Sequence, residues 1–571
     1  MGNPNAIKLI SVHSELPEQL NCRYLYFSNS LENIYRVLIK FLTLLSLEDA
    51  RVFTFSRFRN GEKSTPTELN GTIETFPISK LRQALPQFCA VSAKNLLMIT
   101  FGSTLGFSTI LIPQLQKPSS EISVSMEDLT WISSLNLFLV PIGCFVSGPI
   151  SQMLGRKRTM MLTTIPFIAA WIIFHYATST GMLFIALAMT GLTGGLLEAP
   201  VMTYVAEVTQ PHLRGMLSAT SSMSIILGIF TQMLGGKLAH WRTVSLVNLT
   251  YPLICFVVLC MVPESPYWLI AQGRQGEAEK ALCWLRGWVR PAEVKSEFET
   301  ICQEVYKPAE SREAIWKAFG RRTFYTPFLL VTCAFFIGAF GGTITLQTFA
   351  VMIFMSLKAP IEEYSAAVYL GLAELLGTLI CVIAIHFTGK RLLNFVSIGG
   401  TGLSFGLTAI YGYLNDSNIL DADLINKHQL TWLPATLMIG AAFLSHTGIR
   451  LLPWVLAGEV FPVKLRSSAT GMAGSIGYVF TSIANKVFLY MVNGMSLAGT
   501  FFFYALINFV GGVLLYFILP ETEGRTLNEI EEHFAGIQNL KTRPKKEEQQ
   551  NKEKWAATNP AVIYDDTESK L

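Results

Sequence analysis

The chain has 571 residues, of which 51% are hydrophobic and 15% are charged, and its mean hydropathy is +0.40. A chain this apolar is unlike an ordinary soluble protein, so membrane insertion is the first expectation. The net charge of +4 is small and the basic residues are spread over short connections, which argues against nucleic acid as a partner. The nine cysteines lack the spacing of a zinc site or a disulfide framework, and no metal or cofactor is predicted.

Twelve apolar segments are long enough to cross a bilayer, which takes about 20 residues each. In chain order they lie near 87–112, 129–150, 159–178, 182–206, 214–236, 241–262, 324–348, 365–388, 393–413, 431–457, 467–491 and 497–519. We therefore predict an all-α membrane protein with twelve transmembrane helices. Its expected regions are an N-terminal tail (1–85), a six-helix half (86–262), a linker (263–323), a second six-helix half (324–519) and a C-terminal tail (520–571).

Basic residues concentrate in alternate connections between the predicted spans. They lie in GRKR (155–158), LRG (213–215), GKR (389–391) and VKLRSS (463–468), in the stretch 263–322 and after residue 520. Because connections rich in Lys and Arg stay on the cytoplasmic side, both termini are predicted to be cytoplasmic. The sequon that begins at Asn415 would then face outside, where it is a candidate glycosylation site.

The two predicted halves carry charges at matching places, which indicates an internal repeat. The candidate members are Arg156, Lys157, Glu207 and Arg214 in the first half, and Lys390, Arg391, Glu459 and Arg466 in the second. Glu207 is expected to pair with Arg156 or Arg214. Glu459 is expected to pair with Arg391 or Arg466. Such pairs would have to break when the inner side opens; the alternative is that all of them are ordinary solvated loop charges.

With these motifs the chain resembles the sugar porters of the major facilitator superfamily, and among them the insect trehalose-facilitator-like members. The resemblance covers about residues 86–530 and rests on Gly148, Gly155-Arg156-Lys157, Glu207, Arg214-Gly215, Pro263-Glu264-Ser265-Pro266, Pro453-Trp454, Glu459, Arg466 and Pro520-Glu521-Thr522. It implies two pseudo-symmetric six-helix halves that rock about a central cavity, with a small cytoplasmic helical bundle between them. It also implies a plasma-membrane carrier of sugars.

The charge motifs depart from the family pattern at three positions. The acidic residue of the first loop motif is Gln152 here, and its counterpart in the second half is His386. Tyr267 stands where the family usually has an arginine. A lost carboxylate removes a partner for nearby arginines, so the latch of the outward state is expected to differ from that of the family.

The positions that hold sugar hydroxyls in the family are also changed. The family uses Gln and Asn there, because each amide offers both a donor and an acceptor. Alignment on the motifs places Ser222, Ile337, Gly338, Thr343, Glu374 and Gly477 at these positions, with Tyr478 after the last. Trp454 remains as a stacking platform for the apolar face of a sugar. The resemblance thus implies Ser222, Thr343, Glu374, Trp454 and Tyr478 as substrate contacts.

Ionisable residues lie near the middle of the predicted spans. Arg450 precedes Trp454 by four residues, and His446 lies one turn earlier on the same helix face. Glu198 and Arg450 each precede the glutamate of the repeat motif by nine residues, roughly 13 Å along a helix. A charge that faces lipid at this depth costs at least ~2.5 kcal/mol, so these side chains should face a cavity or one another.

Two interpretations of these charges are open. In one, Glu198 and Arg450 form a structural ion pair that bridges the halves. In the other, Arg450 and His446, together with Glu198 and Glu374, bind a charged or zwitterionic part of the substrate. In a variant of the second interpretation, Glu198 or Glu374 carries a proton that is transported together with the substrate.

The function predicted from the sequence is transport of a sugar, hexose or trehalose-like, or of a related small polar solute. Within the first span, the stretch 96–112 lacks the acidic residue of proton-linked sugar porters, which favours facilitated diffusion. One alternative is a carrier of a charged or zwitterionic organic solute, with or without proton coupling. Another is a non-transporting sensor, because both tails are polar and long enough to recruit partners. An enzyme is not expected, since no nucleophile-base arrangement or phosphate loop is found.

Overall fold

The computed structural model describes residues 80–306, 319–416, 432–462, 465–525, 527–537 and 539–540, all within one compact unit. Every regular element in these ranges is a helix, so the all-α prediction is confirmed for them. Three sets of predicted features lie outside the described residues: most of both tails, part of the predicted linker (307–318) and Ser417 of the sequon.

Seven helices between residues 80 and 261 form a first group. They are α1 (Lys80–Leu115), α2 (Met126–Leu154), α3 (Arg156–Tyr176), α4 (Thr180–Val208), α5 (Pro211–Leu238), α6 (Trp241–Asn248) and α7 (Thr250–Met261). Helix α1 packs along α5, and α2 along α4. The α2–α4 approach is close because Gly191 and Gly195 lie against the backbone carbonyls of Asn136 and Val140, where no side chain would fit.

Three short helices follow the first group and pack on one another. They are α8 (Pro266–Ala271), α9 (Gln275–Leu285) and α10 (Pro291–Val305). Pro266 and Pro291 are the first residues of α8 and α10. Proline is tolerated there because the N–H groups of the first helical turn have no acceptor within the helix. Trp268 and Leu269 of α8 are buried against Leu282 of α9 and Ile301 of α10.

A second group of helices lies between residues 322 and 518, and one further helix follows it. These are α11 (Arg322–Phe340), α12 (Thr343–Thr348), α13 (Ala350–Ser356), α14 (Glu363–Thr388), α15 (Lys390–Asp416), α16 (Trp432–His446), α17 (Leu452–Glu459), α18 (Arg466–Ile518) and α19 (Leu527–Ala535). Helix α18 packs against α15, α11 and α2. Within its 53 residues, Ser496 has a φ of 67°, which is outside the helical region and marks a kink.

Ten helical stretches in the described residues are long and apolar enough to cross a membrane. Three predicted spans are divided between helices. The segment 241–262 has only Leu249 between α6 and α7. The segment 324–348 breaks between α11 and α12, where Gly342 has a φ of 86° that other residues rarely adopt. The segment 431–457 breaks between α16 and α17. The predicted spans 467–491 and 497–519 lie in α18, on either side of Ser496. The chain is a multi-pass membrane protein.

The two ends of the bundle differ in how the helix groups meet. At one end, a single apolar cluster joins Phe107 of α1 and Ile229 of α5 to Phe354 of α13 and Phe488 of α18. At the other end, where α3 and α15 begin, the buried apolar side chains form a separate cluster in each group. We call the first the closed end and the second the motif end. Apolar packing therefore holds the groups together chiefly at the closed end.

Candidate functional site

The first charge cluster lies at the motif end, where α3 begins. Arg156 Nη2 donates to Glu207 Oε1 at 3.0 Å, and Arg156 Nε donates to Oε2 at 3.1 Å. The Ser265 hydroxyl donates to the same carboxylate at 2.5 Å. The side chains of Arg156 and Glu207 are 14% and 17% exposed, so this bidentate salt bridge is better shielded from solvent than one on the surface. Of the two predicted partners of Glu207, Arg156 forms the pair, and Arg214 is exposed on α5.

Glu264 caps the first turn of α3. The N–H groups of Arg156 and Lys157 donate to Glu264 Oε1 at 3.0 and 2.9 Å, and that of Arg158 donates to Oε2 at 3.4 Å. The Lys157 ammonium donates to the Cys260 carbonyl at 3.2 Å. Because the start of a helix carries partial positive charge, the carboxylate is stabilised there. Glu264 thereby ties α3 to the segment that leads into α8.

The second charge cluster repeats this arrangement where α15 begins, with a lysine in place of the arginine. Lys390 Nζ lies 2.7 Å from both carboxylate oxygens of Glu459 and 3.0 Å from Glu523. The N–H groups of Lys390 and Arg391 donate to Glu521, each at 3.1 Å. Glu521 is therefore the counterpart of Glu264. Lys390 is 5% exposed, so its charge is neutralised by carboxylates rather than by water.

Among the described residues the salt-bridge partner of Glu459 is Lys390, whereas the sequence predicts Arg391 or Arg466; Arg466 interacts with Glu459 electrostatically. Lys390 is the first residue of α15, as Arg156 is of α3, and it takes the equivalent place beside the glutamate. The Arg391 guanidinium donates to a backbone carbonyl of α18 at 2.6 Å. That of Arg466 donates to a carbonyl in the turn after α17 at 3.3 Å. A helix directs neighbouring side chains about 100° apart, so only one of two adjacent basic residues can face Glu459.

Two of the three motif departures lie near the first cluster. The Gln152 carbonyl accepts from Trp268 Nε1 at 2.7 Å, so the backbone of this position anchors α8. Tyr267 lies at the start of α8. Burial raises the pKa of its hydroxyl, and the negative charge of Glu304 raises it further. The side chain of His386 lies outside the described residues.

Between the two ends, Glu198 of α4 meets Tyr478 of α18. The Tyr478 hydroxyl donates to Glu198 Oε1 at 3.0 Å, which joins the first helix group to the second. The ring of Trp454 on α17 lies 5.6 Å from that of Tyr478 and 5.0 Å from that of Phe335, centroid to centroid. Glu198, Tyr478 and Trp454 are partly exposed. An aromatic surface thus lies close to a carboxylate and a hydroxyl, which suits a solute with one apolar face and several polar groups.

Arg450 lies in a turn of residues 447–451 that separates α16 from α17, and not within a helix. Pro453 in the first turn of α17 lacks the N–H that would continue the helical ladder. The N–H of Arg450 reaches back to the Ser445 carbonyl at 3.1 Å. Its guanidinium interacts electrostatically with Glu374 and Tyr478. The turn leaves this charge partly exposed near the centre.

The structure does not form the ion pair of Glu198 with Arg450 that one interpretation predicts. Among the described residues neither side chain has a salt-bridge partner, and the hydrogen bond of Glu198 comes from Tyr478. Tyr478 interacts with both charges, as a donor to Glu198 and electrostatically with Arg450. The Tyr478 hydroxyl therefore links Glu198 and Arg450, which were expected to pair directly.

Glu374 and His446 are buried beside this centre. Glu374, 1% exposed on α14, accepts from Gln347 Nε2 of α12 at 2.6 Å. The His446 Nδ1 lies 3.0 Å from the Ala442 carbonyl, and its Nε2 has no hydrogen-bond partner among the described residues. His446 is 1% exposed, so it does not share the partly exposed position of Arg450. The two side chains nevertheless interact electrostatically.

Ser222 and Thr343 occupy the two remaining predicted positions. Ser222 is partly exposed on α5, which lies in the first helix group. Thr343 begins α12 and is 4% exposed, and its hydroxyl reaches the Gly338 carbonyl at 3.4 Å. The structure therefore brings Glu198, Arg450, Trp454 and Tyr478 to one partly exposed centre. Glu374, His446 and Thr343 are buried.

Lys94 is a buried charge that the sequence reasoning missed. It is 0% exposed on α1, and its ammonium donates to the Ser221 hydroxyl of α5. The neighbouring Asn95 donates to Thr220 at 2.8 Å, which makes a polar strip between the two helices. No carboxylate of the described residues pairs with Lys94. A lysine inside the first predicted span was the available signal.

These features together define a membrane transport protein: two groups of apolar helices, equivalent charge clusters at one end and a polar centre lined from both groups. The chain belongs to the family described as "Sugar (and other) transporter", whose model matches residues 88–534. The predictions of a facilitative sugar-type carrier with the alternating-access fold, and of a transporter rather than an enzyme, are confirmed by this membership and by the relatives.

The relatives are insect and bacterial transporters. The chain is similar to the facilitated trehalose transporter Tret1 of Apis mellifera ligustica, with 26% identity over 464 residues, 80% of this chain and 90% of the relative. Tret1 of Polypedilum vanderplanki is also 26% identical, over 79% and 88%. Among solved structures, a partially occluded inward-open conformation of the xylose transporter XylE from E. coli has a TM-score of 0.62 at 16% identity, over 77% and 99%. At this identity the structural similarity shows the fold alone.

Proposed function

We propose that the chain carries a sugar, hexose or trehalose-like, or a related small polar solute by facilitated diffusion across the plasma membrane. The observation that carries the proposal is the partly exposed centre where Trp454 and Tyr478 lie beside Glu198. The aromatic ring would stack on the apolar face of a sugar, while the carboxylate and the hydroxyls would bind its polar edge. The names of the relatives, which transport trehalose and xylose, support this solute class.

We further propose twelve membrane crossings in two pseudo-symmetric halves. The α6–α7, α11–α13 and α16–α17 segments each count as one crossing, and α18 counts as two with the kink at Ser496. The two charge clusters support the repeat, because Arg156 and Lys390 begin equivalent helices and pair with equivalent glutamates. Helices α8 to α10 form the helical bundle between the halves.

The proposed orientation has the motif end and both termini in the cytoplasm. The basic residues at the starts of α3 and α15 support it. Asn415 supports it from the opposite side, because it is exposed at the far end of α15, where glycosylation would occur. Glycosidase treatment of protein from insect-cell membranes should increase its electrophoretic mobility, and Asn415→Gln should abolish that change.

The transport cycle follows from how the two ends are held. Each ion pair joins helices of the same group, α3 with α4 and α15 with α17, so each pair stiffens one half. The halves meet at the closed end through apolar packing and through hydrogen bonds between α2 and α18, and at the centre through the Tyr478–Glu198 hydrogen bond. Rocking about the centre would separate the closed end while the motif end closes, which gives each side access in turn.

Uptake into proteoliposomes tests the proposal. Purified full-length protein should accumulate at least one of radiolabelled trehalose, glucose or xylose to equilibrium, above protein-free vesicles. Trp454→Ala should lower uptake at low solute concentration by about tenfold. Trp432→Ala, at a 46% exposed tryptophan that begins α16, should change it less than twofold. No flux of any small solute would favour the sensor that retains the carrier fold.

A second candidate function is transport of a charged or zwitterionic solute, with or without proton coupling. Arg450 favours it, because its guanidinium has no ion-pair partner among the described residues and is partly exposed at the centre. Arg450→Gly separates the two candidates. A sugar carrier should keep its solute range with this substitution, whereas a carrier of organic anions or zwitterions should lose it. Dependence of uptake on an imposed pH gradient would indicate proton coupling.

A further inference from the structure

A cavity of about 600 Å³ lies at the motif end, apart from the central site. It is bounded by the start of α3, the end of α7 and the helices α8 and α9. Its lining includes Lys157, Arg158, Met261, Arg274, Lys280 and Trp284. The transport cycle described above uses none of the space in this cavity, so a separate ligand can occupy it.

The cavity has more positive than negative charge. Its carboxylates are already engaged: Glu264 accepts from three backbone N–H groups, and Glu277 pairs with Arg274 at 2.6 Å. Arg158 and Lys280 are exposed and form no ion pair with a described residue. These two basic side chains are therefore available to an anion. A guanidinium suits a phosphate oxygen pair, and an ammonium adds a second charge.

The rest of the cavity wall is apolar and adjoins the membrane. Met261 ends the candidate span Trp241–Met261 and is 74% exposed. Met161 lies in the second turn of the span that begins at Arg156. Trp284 of α9 lines the same cavity. Because the cavity lies where two spans leave the bilayer, its basic rim is at the level of lipid headgroups and its methionines are at the level of acyl chains.

We propose that this cavity binds an anionic phospholipid, with the phosphate at Arg158 and Lys280 and an acyl chain along Met161 and Met261. The inference rests on the proposed function in one respect, the cytoplasmic position of the motif end, where the membrane leaflet is rich in anionic lipid. A soluble phosphate ester would use the same cations and leave the methionine wall uncovered. The combined basic and apolar lining therefore favours the lipid.

Native mass spectrometry of the full-length protein in detergent tests the inference. The probes are palmitoyl-oleoyl phosphatidylserine and the phosphatidylcholine with the same chains. Phosphatidylserine should bind more tightly, and Arg158→Gln with Lys280→Gln should weaken it by about fivefold for each charge, roughly 25-fold together. Arg290→Gln with Lys295→Gln removes two exposed charges from the same region outside the cavity and should change binding less than twofold.

Several outcomes would overturn the inference. They are equal affinity for the two lipids, an equal loss in the control pair, or displacement of phosphatidylserine by soluble glycerophosphoserine at equal concentration. If the double variant does not fold, Lys280→Glu alone should produce at least a fivefold loss. Uptake in phosphatidylcholine vesicles is measured separately. Normal uptake without selective lipid binding defeats this inference alone, whereas lipid binding without uptake defeats only the proposed transport.

Discussion

Tyr478 donates its hydroxyl hydrogen to Glu198 at 3.0 Å, and the two residues belong to different helix groups. Near this bond lies Arg450, which interacts electrostatically with the same tyrosine. A neutral hydroxyl thus joins two halves that carry opposite charges at equal depth. A hydrogen bond of this kind can form and break during rocking at a lower cost than a buried ion pair, which must be desolvated each time.

Tyr478→Phe should destabilise the protein by about 1–3 kcal/mol, because the Glu198 carboxylate loses its donor. Glu198→Gln should cost less, since the amide still offers an acceptor to the phenol. The double variant should be no less stable than Tyr478→Phe alone. Thermal unfolding of the purified protein in detergent measures the three variants, and strictly additive effects would contradict a direct Tyr478–Glu198 interaction.

Lys390→Met should destabilise the protein by about 3 kcal/mol, because it removes the buried ammonium that Glu459 and Glu523 share. Arg466→Gln is the comparison variant, since its guanidinium donates to a backbone carbonyl and interacts with Glu459 electrostatically, without a salt bridge among the described residues. Its cost should be below about 1 kcal/mol. Thermal unfolding in detergent compares the stability of the two variants with that of the unmodified protein. A larger effect at Arg466 would restore the pairing expected from the sequence alone.

Lys486→Leu should loosen the closed end. Lys486 Nζ of α18 lies 3.7 Å from the ring centroid of Trp131 on α2 and donates to the Thr130 hydroxyl at 2.9 Å. These contacts join the two groups and must break when that end opens. Hydrogen exchange near Thr130 and Lys486 should become faster in the variant, and the cycle with Trp131→Leu should give a coupling of about 1 kcal/mol.

Lys237→Leu is the control for this prediction. Lys237 lies in the last turn of α5 at the same end of the bundle, and its side chain is exposed. Its removal should leave the exchange rates of α2 and α18 unchanged. Equal acceleration by both substitutions would assign the effect to lost surface charge and would contradict a latch between Lys486 and Trp131.

Lys94→Met should stabilise the protein by about 2 kcal/mol, because a buried ammonium without a carboxylate is replaced by an apolar side chain of similar length. Ser221→Ala should act in the opposite direction, since it removes the acceptor of the Lys94 ammonium. Chemical or thermal unfolding in detergent distinguishes the two. A destabilising Lys94→Met would show that the hydrogen bond to Ser221 outweighs the cost of burial.

The predictable part of this structure is the part that follows from hydropathy and motif spacing. Long apolar runs fold as helices in a bilayer because backbone groups there must be paired within the segment. The breaks were harder to predict. Two predicted spans contain residues that break helices, namely Gly341 and Gly342 in one and Pro453 in the other. Mean hydropathy does not register these residues, so it predicts each span as one continuous helix.

The partners of the charges were only partly predictable. Aligning Gly155-Arg156 with Gly389-Lys390 places Lys390 at the position of Arg156 and so predicts its pairing with Glu459, whereas the preference of carboxylates for arginine points to Arg391 or Arg466 instead. For Glu198, the repeat spacing predicted depth but not contact. Depth depends on position along a helix, whereas contact depends on helix rotation and on which neighbour is nearer, and Tyr478 is the nearer one.

The turn at residues 447–451 places the charge of Arg450 between two helices rather than within one. The N–H of Arg450 donates to the Ser445 carbonyl, and the neighbouring Ile449 N–H donates to the Ser397 hydroxyl of α15. Under the proposed function, substitutions at residue 450 should therefore change solute preference more than expression or assembly, because this side chain lies outside both helices.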